Sequence, residues 1–239
     1  MPETDTAAQI RRTARSLLVD HGADGVTLRA IARRLGITAP ALYRYYDSHS
    51  ALLEHLRRDI VVDLAAELSR DVARLPEDAG AALTQFFAVC KGFRRWSLRH
   101  PREFALVFAS PRAEQQAEPL AGATEPFGRV FIGAIGQVLA HHELAGIPDD
   151  YVPPALRGDV QTFRTALLTG VAEEAEVGDI PAERLPLGVA YLMVQFWARI
   201  YGHVALEVFG NFPMPTSSPD ALFDAMLADL AREVGLGPR

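Results

Sequence analysis

The sequence predicts an all-α protein in which a small three-helix head is followed by a multi-helix body. Apolar residues recur at helical spacing through almost all of the 239 residues, and no stretch alternates as a half-buried strand would. Prolines and glycines divide this pattern into segments of helical length. Residues 27–53 contain two short helical patterns separated by a single glycine, which is the spacing of a helix-turn-helix. We therefore predict a head of residues 1–50 and a body of residues 51–239.

The head is predicted to contain three helices. The first covers about residues 4–22 and stops at Gly22. Thr27 precedes the second helix, and its hydroxyl can accept a hydrogen bond from an amide of the first turn. Gly36 ends that helix because glycine tolerates the left-handed backbone of the turn, and Thr38 is the candidate cap of the third helix. The second helix of such a motif enters the DNA major groove, so the head is predicted to bind DNA.

The body is predicted to add six helices. The proline-rich residues 110–126, between the second and third of them, are predicted to form a loop or a short helix with mobile ends. The six helices cover about residues 50–75, 77–100, 127–145, 155–176, 186–209 and 220–234. Pro219 fits the first position of the last helix, with Ser218 as its cap. The helix at 186–209 has two apolar faces, which indicates that it is either fully buried or shared between the core and a partner.

Charge is unevenly distributed along the chain, whose net charge is −6. Residues 9–50 contain seven arginines and three aspartates, a net charge of +4, so the rest of the chain sums to −10. The acidic total argues against a protein that coats nucleic acid with its whole surface. A basic head on an acidic body instead confines the field that attracts DNA to one end of the molecule.

The composition disfavours several classes of site and location. Cys90 is the only cysteine, which excludes an internal disulfide and a multi-cysteine metal site and is compatible with a reducing cytoplasm. The N-terminus lacks the apolar core of a signal peptide, and the uncharged apolar stretch at 185–198 is too short to span a bilayer. His141, His142 and Glu143 are adjacent, so they point in different directions around a helix. We predict a cytoplasmic protein with no membrane segment, cofactor, metal site or catalytic residue.

The segment GITAPALYRYYDSHSALL, together with the helix before it, resembles the TetR family of bacterial transcriptional regulators. The resemblance is strong over about residues 6–55, and the residues that match the family pattern are Thr27, Ile31, Ala32, Gly36, Ile37, Thr38, Leu42, Tyr43, Tyr45, Tyr46, Ser48 and Leu52. His49 stands where the family has a lysine. A second stretch, WARIYGHVALEVFG at 197–210, is similar to the Trp-His-Gly stretch of one ligand-domain subgroup, with Tyr201 in place of a histidine.

The helix-turn-helix and the resemblance together predict the DNA contacts. The first turn of the third helix offers little hydrogen-bonding capacity, so we expect contacts with thymine methyl groups and readout of DNA shape. Arg44 is the best candidate for a base or phosphate contact, and the resemblance implies that Tyr43 and Tyr45 donate to phosphates. The predicted DNA-binding residues are Thr27, Arg29, Thr38, Ala39, Pro40, Ala41, Tyr43, Arg44, Tyr45 and His49.

The body is rich in aromatic residues, and for any one of them plain core packing is a sufficient explanation. Together, beneath a DNA-binding head, they predict a pocket for a small, largely apolar effector. The predicted pocket residues are Phe86, Cys90, Phe93, Trp96, Phe104, Phe108, Phe131, Phe163, Trp197 and Tyr201. The resemblance implies a homodimer formed through the helices at 186–209 and 220–234, and two heads on a two-fold axis read a near-palindromic operator.

The resulting hypothesis is a homodimeric TetR-like repressor that leaves its palindromic operator DNA when a small-molecule effector binds. Two alternatives stay open. One is an all-helical small-molecule-binding protein or enzyme whose head is a structural or protein-docking module. The other is a regulator that responds to no ligand because its core is filled.

Overall fold

The computed structural model describes residues 3–76, 80–109, 126–145, 147–174 and 180–236. Within these ranges there is no β-strand, and most residues lie in helices, which confirms the predicted all-α fold class. None of the described helices is both long enough and apolar enough to cross a bilayer. The predicted loop at 110–126 lies outside the described residues except for Pro126, which begins a helix.

The helices follow the predicted order with small differences at their ends. Those of the N-terminal half are α1 (Glu3–His21), α2 (Leu28–Leu35), α3 (Ala39–Leu42), α4 (His49–Val72) and α5 (Ala82–Arg99). A short helix that the sequence did not predict follows, α6 (Pro101–Phe104), and a π-helical turn at Ala105–Ala109 continues it. The remaining helices are α7 (Pro126–His141), α8 (Arg157–Glu174), α9 (Leu187–Val208) and α10 (Pro219–Glu233).

One helix end departs from its prediction for a reason that lies outside the helix. The helix predicted over 127–145 ends at His141. The guanidinium of Arg184 donates to the carbonyl of Leu139 at 2.8 and 3.2 Å and to that of Ala140 at 3.0 Å. The last carbonyls of a helix have no partner within it, so a side chain that satisfies them stabilises the end at this point. A distant arginine therefore fixes this boundary.

The chain divides into two compact units. The first runs through Leu64 and takes in the segment that begins at Arg99, and the second contains Ala65–Leu98 and the chain from Ala113 onward. The core of the first unit is formed by apolar residues of α1, α2, α3, α4 and the short helix α6, including Ile10, Leu18, Ile31, Leu42, Leu56, Ile60 and Phe104. The core of the second unit is formed by α5, α7, α8, α9 and α10, including Val89, Phe93, Trp96, Leu139, Val171, Val204 and Phe223.

Candidate nucleic-acid interface

The helix-turn-helix has the local geometry that its sequence predicts. The backbone N–H of Ala30 donates to Oγ1 of Thr27 at 3.1 Å, so Thr27 caps α2 as predicted. Gly36 has φ of 68°, in the left-handed region that glycine adopts without strain, and the chain turns there toward α3. Leu28 and Ile31 on α2 are buried, as is Leu42 on α3, so the two helices pack as one motif.

The recognition helix α3 is a single turn with Pro40 within it. Thr38 occupies the N-cap position of α3, as predicted, but its side chain makes no capping hydrogen bond. Proline supplies no N–H in this turn, which reduces the number of donors that a cap could satisfy. The Thr38 hydroxyl is consequently available to another acceptor.

The predicted DNA-binding residues lie on the outside of the first unit. Tyr43 is 56% exposed, although a tyrosine ring is a large apolar surface to leave in water. The side chains of Arg29 and Arg44 are exposed and that of Tyr45 is half-buried. Thr27, Thr38 and Pro40 are also exposed, and Ala39 and Ala41 are half-buried. By contrast, Tyr46 is buried, and its hydroxyl accepts a hydrogen bond from Arg11 at 3.1 Å.

His49, at the first position of α4, has a structural contact in addition to its predicted role. Nε2 of its ring is hydrogen-bonded to the carbonyl oxygen of Val26, which directly precedes Thr27. Since a carbonyl only accepts, Nε2 carries the proton in this contact. Ser48 caps the same helix, because its hydroxyl accepts from the backbone N–H of Ala51 at 3.0 Å. The start of α4 is thus tied to the start of α2.

Part of the positive charge of the first unit is neutralised by ion pairs within that unit. Arg11 donates to Asp59 of α4 at 2.5 Å, and Arg15 is paired with Asp63 of α4. Arg34 lies 3.1 Å from Asp20, and this hydrogen bond and charge lower the pKa of the Asp20 carboxyl. The net charge of residues 9–50 therefore overstates the field available to DNA, because acids beyond residue 50 pair with two of the arginines.

Six aromatic side chains form a cluster in the second unit. Phe131 lies at its centre, with ring centroids 5.0 Å from Phe127, 5.8 Å from Trp197 and 6.4 Å from Phe93. Phe86 and Tyr201 extend the cluster at its two ends, 6.5 Å from Phe131 and 6.0 Å from Trp197. We call these six residues the aromatic cluster. Phe127 was missing from the predicted pocket, although its spacing of four residues from Phe131 places both on one face of α7.

The other predicted pocket residues lie elsewhere. Phe104 and Phe108 belong to the first unit, where their ring centroids are 5.3 Å apart. Cys90 and Trp96 are buried on α5, and burial raises the pKa of the Cys90 thiol, which leaves it protonated and unreactive. Phe163 is half-buried on α8. Within the described ranges, no three His, Cys, Asp or Glu side chains are grouped as metal ligands.

The two apolar faces of α9 have different surroundings in the single chain. On the first, Val189, Phe196 and Ile200 are buried. On the second, Val194 is 44% exposed and Trp197 is 40% exposed. An apolar stripe that one chain leaves in water is a candidate contact for another protein surface.

An enclosed ion pair joins three helices of the second unit. Arg94 of α5 donates to both carboxylate oxygens of Glu207 of α9 at 2.6 Å, and to Asp220 of α10 at 2.7 Å. Its guanidinium carbon also lies 5.3 Å from the ring centroid of Phe223. His203 lies 3.9 Å from Glu207, and burial lowers its pKa. The geometry assigns Arg94 to the junction of α5, α9 and α10.

Comparison with known families covers both units. Residues 10–56 match the family described as "Bacterial regulatory proteins, tetR family", and residues 86–230 match "Tetracyclin repressor-like, C-terminal domain". The chain belongs to the TetR family. The predicted resemblance is therefore confirmed for the family, whereas the Trp-His-Gly subgroup stays a prediction because the matched C-terminal domain is not described in those terms.

Relatives of this TetR-family chain are named as regulators. The HTH-type transcriptional regulator Rv1816 of Mycobacterium tuberculosis is 32% identical over 221 residues, which cover 91% of this chain and 87% of the relative. Mb1846 of Mycobacterium bovis, also named an HTH-type transcriptional regulator, shows the same identity and coverage. The tetracycline repressor protein class C of Escherichia coli is 49% identical over 45 residues, 19% of this chain and 20% of that protein.

Solved structures with a similar fold match most of the chain. A crystal structure of the regulatory protein SCO4313 has a TM-score of 0.63 at 26% identity, covering 96% of this chain and 98% of the other. A protein from Rhodococcus sp. RHA1, at 18% identity, has a TM-score of 0.57 and shares the fold, with coverage of 95% and 94%. Together with the family matches, these similarities confirm that the chain is a DNA-binding transcriptional regulator.

Proposed function

We propose that this regulator is a homodimeric repressor that binds a near-palindromic operator and is released from it by a small, largely apolar effector. The main support for the proposal is that Tyr43 and Arg44, which directly follow the recognition helix, are both exposed to solvent. Thr38, at the N-cap of the same helix, has a hydroxyl that makes no capping hydrogen bond. A solvent-exposed phenol beside an arginine is a poor core element and a good phosphate contact.

Operator contacts are proposed for the exposed side of the first unit. Ala39, Pro40 and Ala41 present small apolar surfaces to thymine methyl groups, with Thr38 as the hydroxyl that reaches a base or phosphate. Phosphate contacts come from Thr27, Arg29, Tyr43, Arg44, Tyr45 and His49. The hydrogen bond of His49 to Val26 occupies Nε2, so this residue contacts phosphate only through the rest of its ring or its backbone N–H.

Dimerisation is proposed through the exposed apolar face of α9, with α10 beside it. Ala198 and Gly202 on α9 are small and would permit a partner helix to approach closely. Most apolar side chains of α10, such as Phe223 and Leu230, are buried in the second unit of their own chain, so α10 offers chiefly Leu222 and Met226 to a partner. Two copies related by a two-fold axis present two recognition helices to the two halves of a palindrome.

The effector site is proposed at the aromatic cluster. Aromatic rings bind apolar ligands through burial of area and through stacking. The protein has one conformation that fits the operator and another that does not. To release DNA, the effector must have a higher affinity for the second conformation than for the first. Because the proposed role consists of binding DNA and an effector, we propose that the protein is not an enzyme. We also propose that it acts in the cytoplasm, where the operator DNA lies.

Selection of bound sequences from random duplex DNA tests the operator proposal. Wild-type protein is expected to enrich one near-palindromic sequence and to lose affinity for it as salt increases. Arg44→Ala is expected to weaken operator binding about 10- to 100-fold, the loss typical of one base or phosphate contact. Arg70→Ala is the matched control, because Arg70 is an exposed arginine of the second unit that donates to its own helix at Ala66. Enrichment of no palindrome, or equal losses in both variants, would contradict the proposal.

Screening of apolar compounds for thermal stabilisation tests the effector proposal. A compound that raises the melting temperature of the wild type, releases the selected operator and loses both effects in Phe131→Ala supports a site at the aromatic cluster, because Phe131 lies at its centre on α7 and outside the proposed dimer face of α9. Sedimentation velocity on the same samples reports the dimer. Compounds that release the operator equally well from wild type and Phe131→Ala would place the effector elsewhere.

A further inference from the structure

The segment from Arg99 to Ala109 belongs to the DNA-binding unit, although it follows a helix of the body along the chain. It consists of Arg99, His100, α6 and the π-helical turn, and we call it the 99–109 segment. Phe104, Leu106 and Val107 are buried. π-helical turns are rare and are frequently found at functional sites. The segment is thus a packed part of the first unit.

Three arginine contacts attach this segment to α1 and α4. Nε of Arg15 on α1 donates to Oε1 of Glu103 at 2.5 Å. Nε of Arg57 on α4 donates to the carbonyl oxygen of Leu106 at 3.0 Å. In the reverse direction, Nη1 of Arg102 donates to the carbonyl oxygen of Val19 on α1 at 2.6 Å. Each contact joins residues far apart in sequence, so together they fix the segment against both helices.

Glu103 is the unusual member of this set, because only 2% of its side chain is exposed. Besides Arg15, Nδ1 of His100 lies 2.8 Å from its Oε2. A buried ion pair is a weak source of stability, since apolar residues of the same volume often stabilise a core as well. Its better-attested role is to fix one arrangement among several, because any shift leaves a buried charge without its partner.

The arrangement that Glu103 fixes includes the elements that position the recognition helix. Arg15, which binds Glu103, is also paired with Asp63 of α4. The first residue of α4, His49, is hydrogen-bonded to the residue before Thr27, where α2 begins. The chain of contacts therefore runs from the 99–109 segment through α1 and α4 to the helix-turn-helix, entirely within the first unit.

We propose that Glu103 and Arg57 are positioning residues for DNA binding. They hold the 99–109 segment against α1 and α4, and so set the orientation in which α2 and α3 meet the operator. Glu103 is too deeply buried to touch DNA, so it acts only through Arg15 and the helices. The proposal rests on the DNA-binding role of the chain and does not depend on an effector.

The substitution Glu103→Gln distinguishes positioning from electrostatics by the sign of its effect. It removes one negative charge at nearly constant volume, so electrostatics alone would tighten binding to the polyanionic operator. Loss of positioning instead weakens binding. We expect at least tenfold weaker operator binding by fluorescence anisotropy, with an unchanged slope of log affinity against log salt, because no phosphate contact is lost. Affinity for a random-sequence duplex is expected to change less than threefold.

Arg57→Met and Arg58→Met form a matched pair on α4. Both remove one positive charge, and both arginines lie near Glu54 at 3.6 Å, but only Arg57 contacts the 99–109 segment in the described structure. The Arg57 side chain is 20% exposed and that of Arg58 is 67% exposed. We expect Arg57→Met to weaken operator binding five- to tenfold and Arg58→Met to weaken it less than twofold at the same salt concentration.

Circular dichroism and thermal unfolding establish which variants are folded, and Arg57→Met carries the test if Glu103→Gln does not fold. The proposal is overturned if folded Glu103→Gln binds the operator as tightly as the wild type or more tightly, or if Arg57→Met and Arg58→Met weaken it equally. A wild type that selects no operator contradicts the proposed function. If the wild type binds a selected operator and the variants bind it with the same affinity, only the positioning role is contradicted.

Discussion

The two units each enclose an ion pair between distant residues, but they differ in which partners are buried. In the first unit the carboxylate of Glu103 is buried and Arg15 is half-buried. In the second unit the guanidinium of Arg94 is enclosed, while one of its acceptors, Asp220, is 89% exposed. The first unit thus buries only the acid of its pair, whereas the second encloses both Arg94 and Glu207 and leaves only Asp220 in solvent.

This difference changes the charge that each unit presents to solvent. Arg29, Arg33 and Arg44 are exposed in the first unit, whereas Arg94 of the second is withdrawn from the surface. An enclosed charge that is paired with its opposite contributes little to the external field, so exposed groups set the attraction for DNA.

The exposed apolar surface differs in the same way. In the first unit, Val19 and Val62 are exposed aliphatic side chains, and Tyr43 is an exposed ring that carries a hydroxyl suited to a phosphate. In the second, Val194, Trp197, Leu206 and Leu222 are exposed aliphatic or aromatic side chains on α9 and α10. The first surface is suited to a polyanion, and the second is suited to another apolar surface.

Breaking the enclosed pair of the second unit is the change with the largest expected effect. Arg94→Met leaves Glu207 enclosed without its partner, and this is expected to lower the free energy of unfolding by about 3–5 kcal/mol. Urea unfolding followed by circular dichroism measures it. The matched control is Arg95→Met, because Arg95 is half-exposed and pairs with Asp71 and Glu67 at the surface.

Arg95→Met is expected to lower the free energy of unfolding by less than about 1 kcal/mol, because exposed ion pairs contribute no more than that to stability. Equal losses in the two variants would show that enclosure of Arg94 adds nothing to its contribution. A loss below about 1 kcal/mol for Arg94→Met would contradict its assignment to the junction of α5, α9 and α10.

Substitutions of Thr27 and Thr38, the two threonines of the helix-turn-helix, are expected to affect stability and DNA binding differently. Thr27→Ala removes the oxygen that accepts from Ala30 and is expected to cost about 1 kcal/mol of stability. Thr38→Ala removes a hydroxyl that caps nothing, so stability is expected to stay within about 0.5 kcal/mol while operator affinity falls. Thermal unfolding and anisotropy on both variants test this, and a larger stability loss in Thr38→Ala than in Thr27→Ala would be the contrary result.

The smallest expected effect is a pH dependence of the second unit. Burial lowers the pKa of His203 below its ordinary value of 6.5, with the charge of Arg94 acting in the same direction and that of Glu207 opposing it. The unfolded chain then binds a proton here at higher pH than the folded protein, so stability is complete above pH 6.5 and falls as the pH decreases below it. Phe212 and Phe223 enclose the ring, with centroids 4.8 and 5.0 Å away.

Urea midpoints measured from pH 7.5 to 5.5 check this dependence. His203→Gln has no group to titrate at this position, so its midpoint is expected to fall less than that of the wild type over the same interval. His21→Gln, which replaces an exposed histidine of the first unit, should reproduce the wild-type fall. A His203→Gln profile parallel to the wild type would exclude His203 as the source.

Local sequence signals were sufficient for the helices, the glycine turn at Gly36, the cap at Thr27 and the resemblance to the TetR family. These features depend on residues within a few positions of one another, where periodicity and backbone preference act directly. The same signals aligned predicted pocket residues that share a helix, such as Trp197 and Tyr201 on α9, whereas the packing of α5, α7 and α9 brought five of the ten into one cluster. They missed Phe127 as a cluster member and gave no indication that Phe104 and Phe108 belong to the first unit.

Packing between distant segments decided the rest. Arg15 pairs with a carboxylate 88 positions away, and Arg94 with one 113 positions away. The end of α7 is likewise set by Arg184, more than 40 residues further along the chain. A charged residue in the sequence looks the same whether it faces DNA or a buried partner, because its environment is created only when helices pack together. The sequence therefore specified a basic DNA-binding head, while the tertiary structure determined which of its arginines remain at the surface.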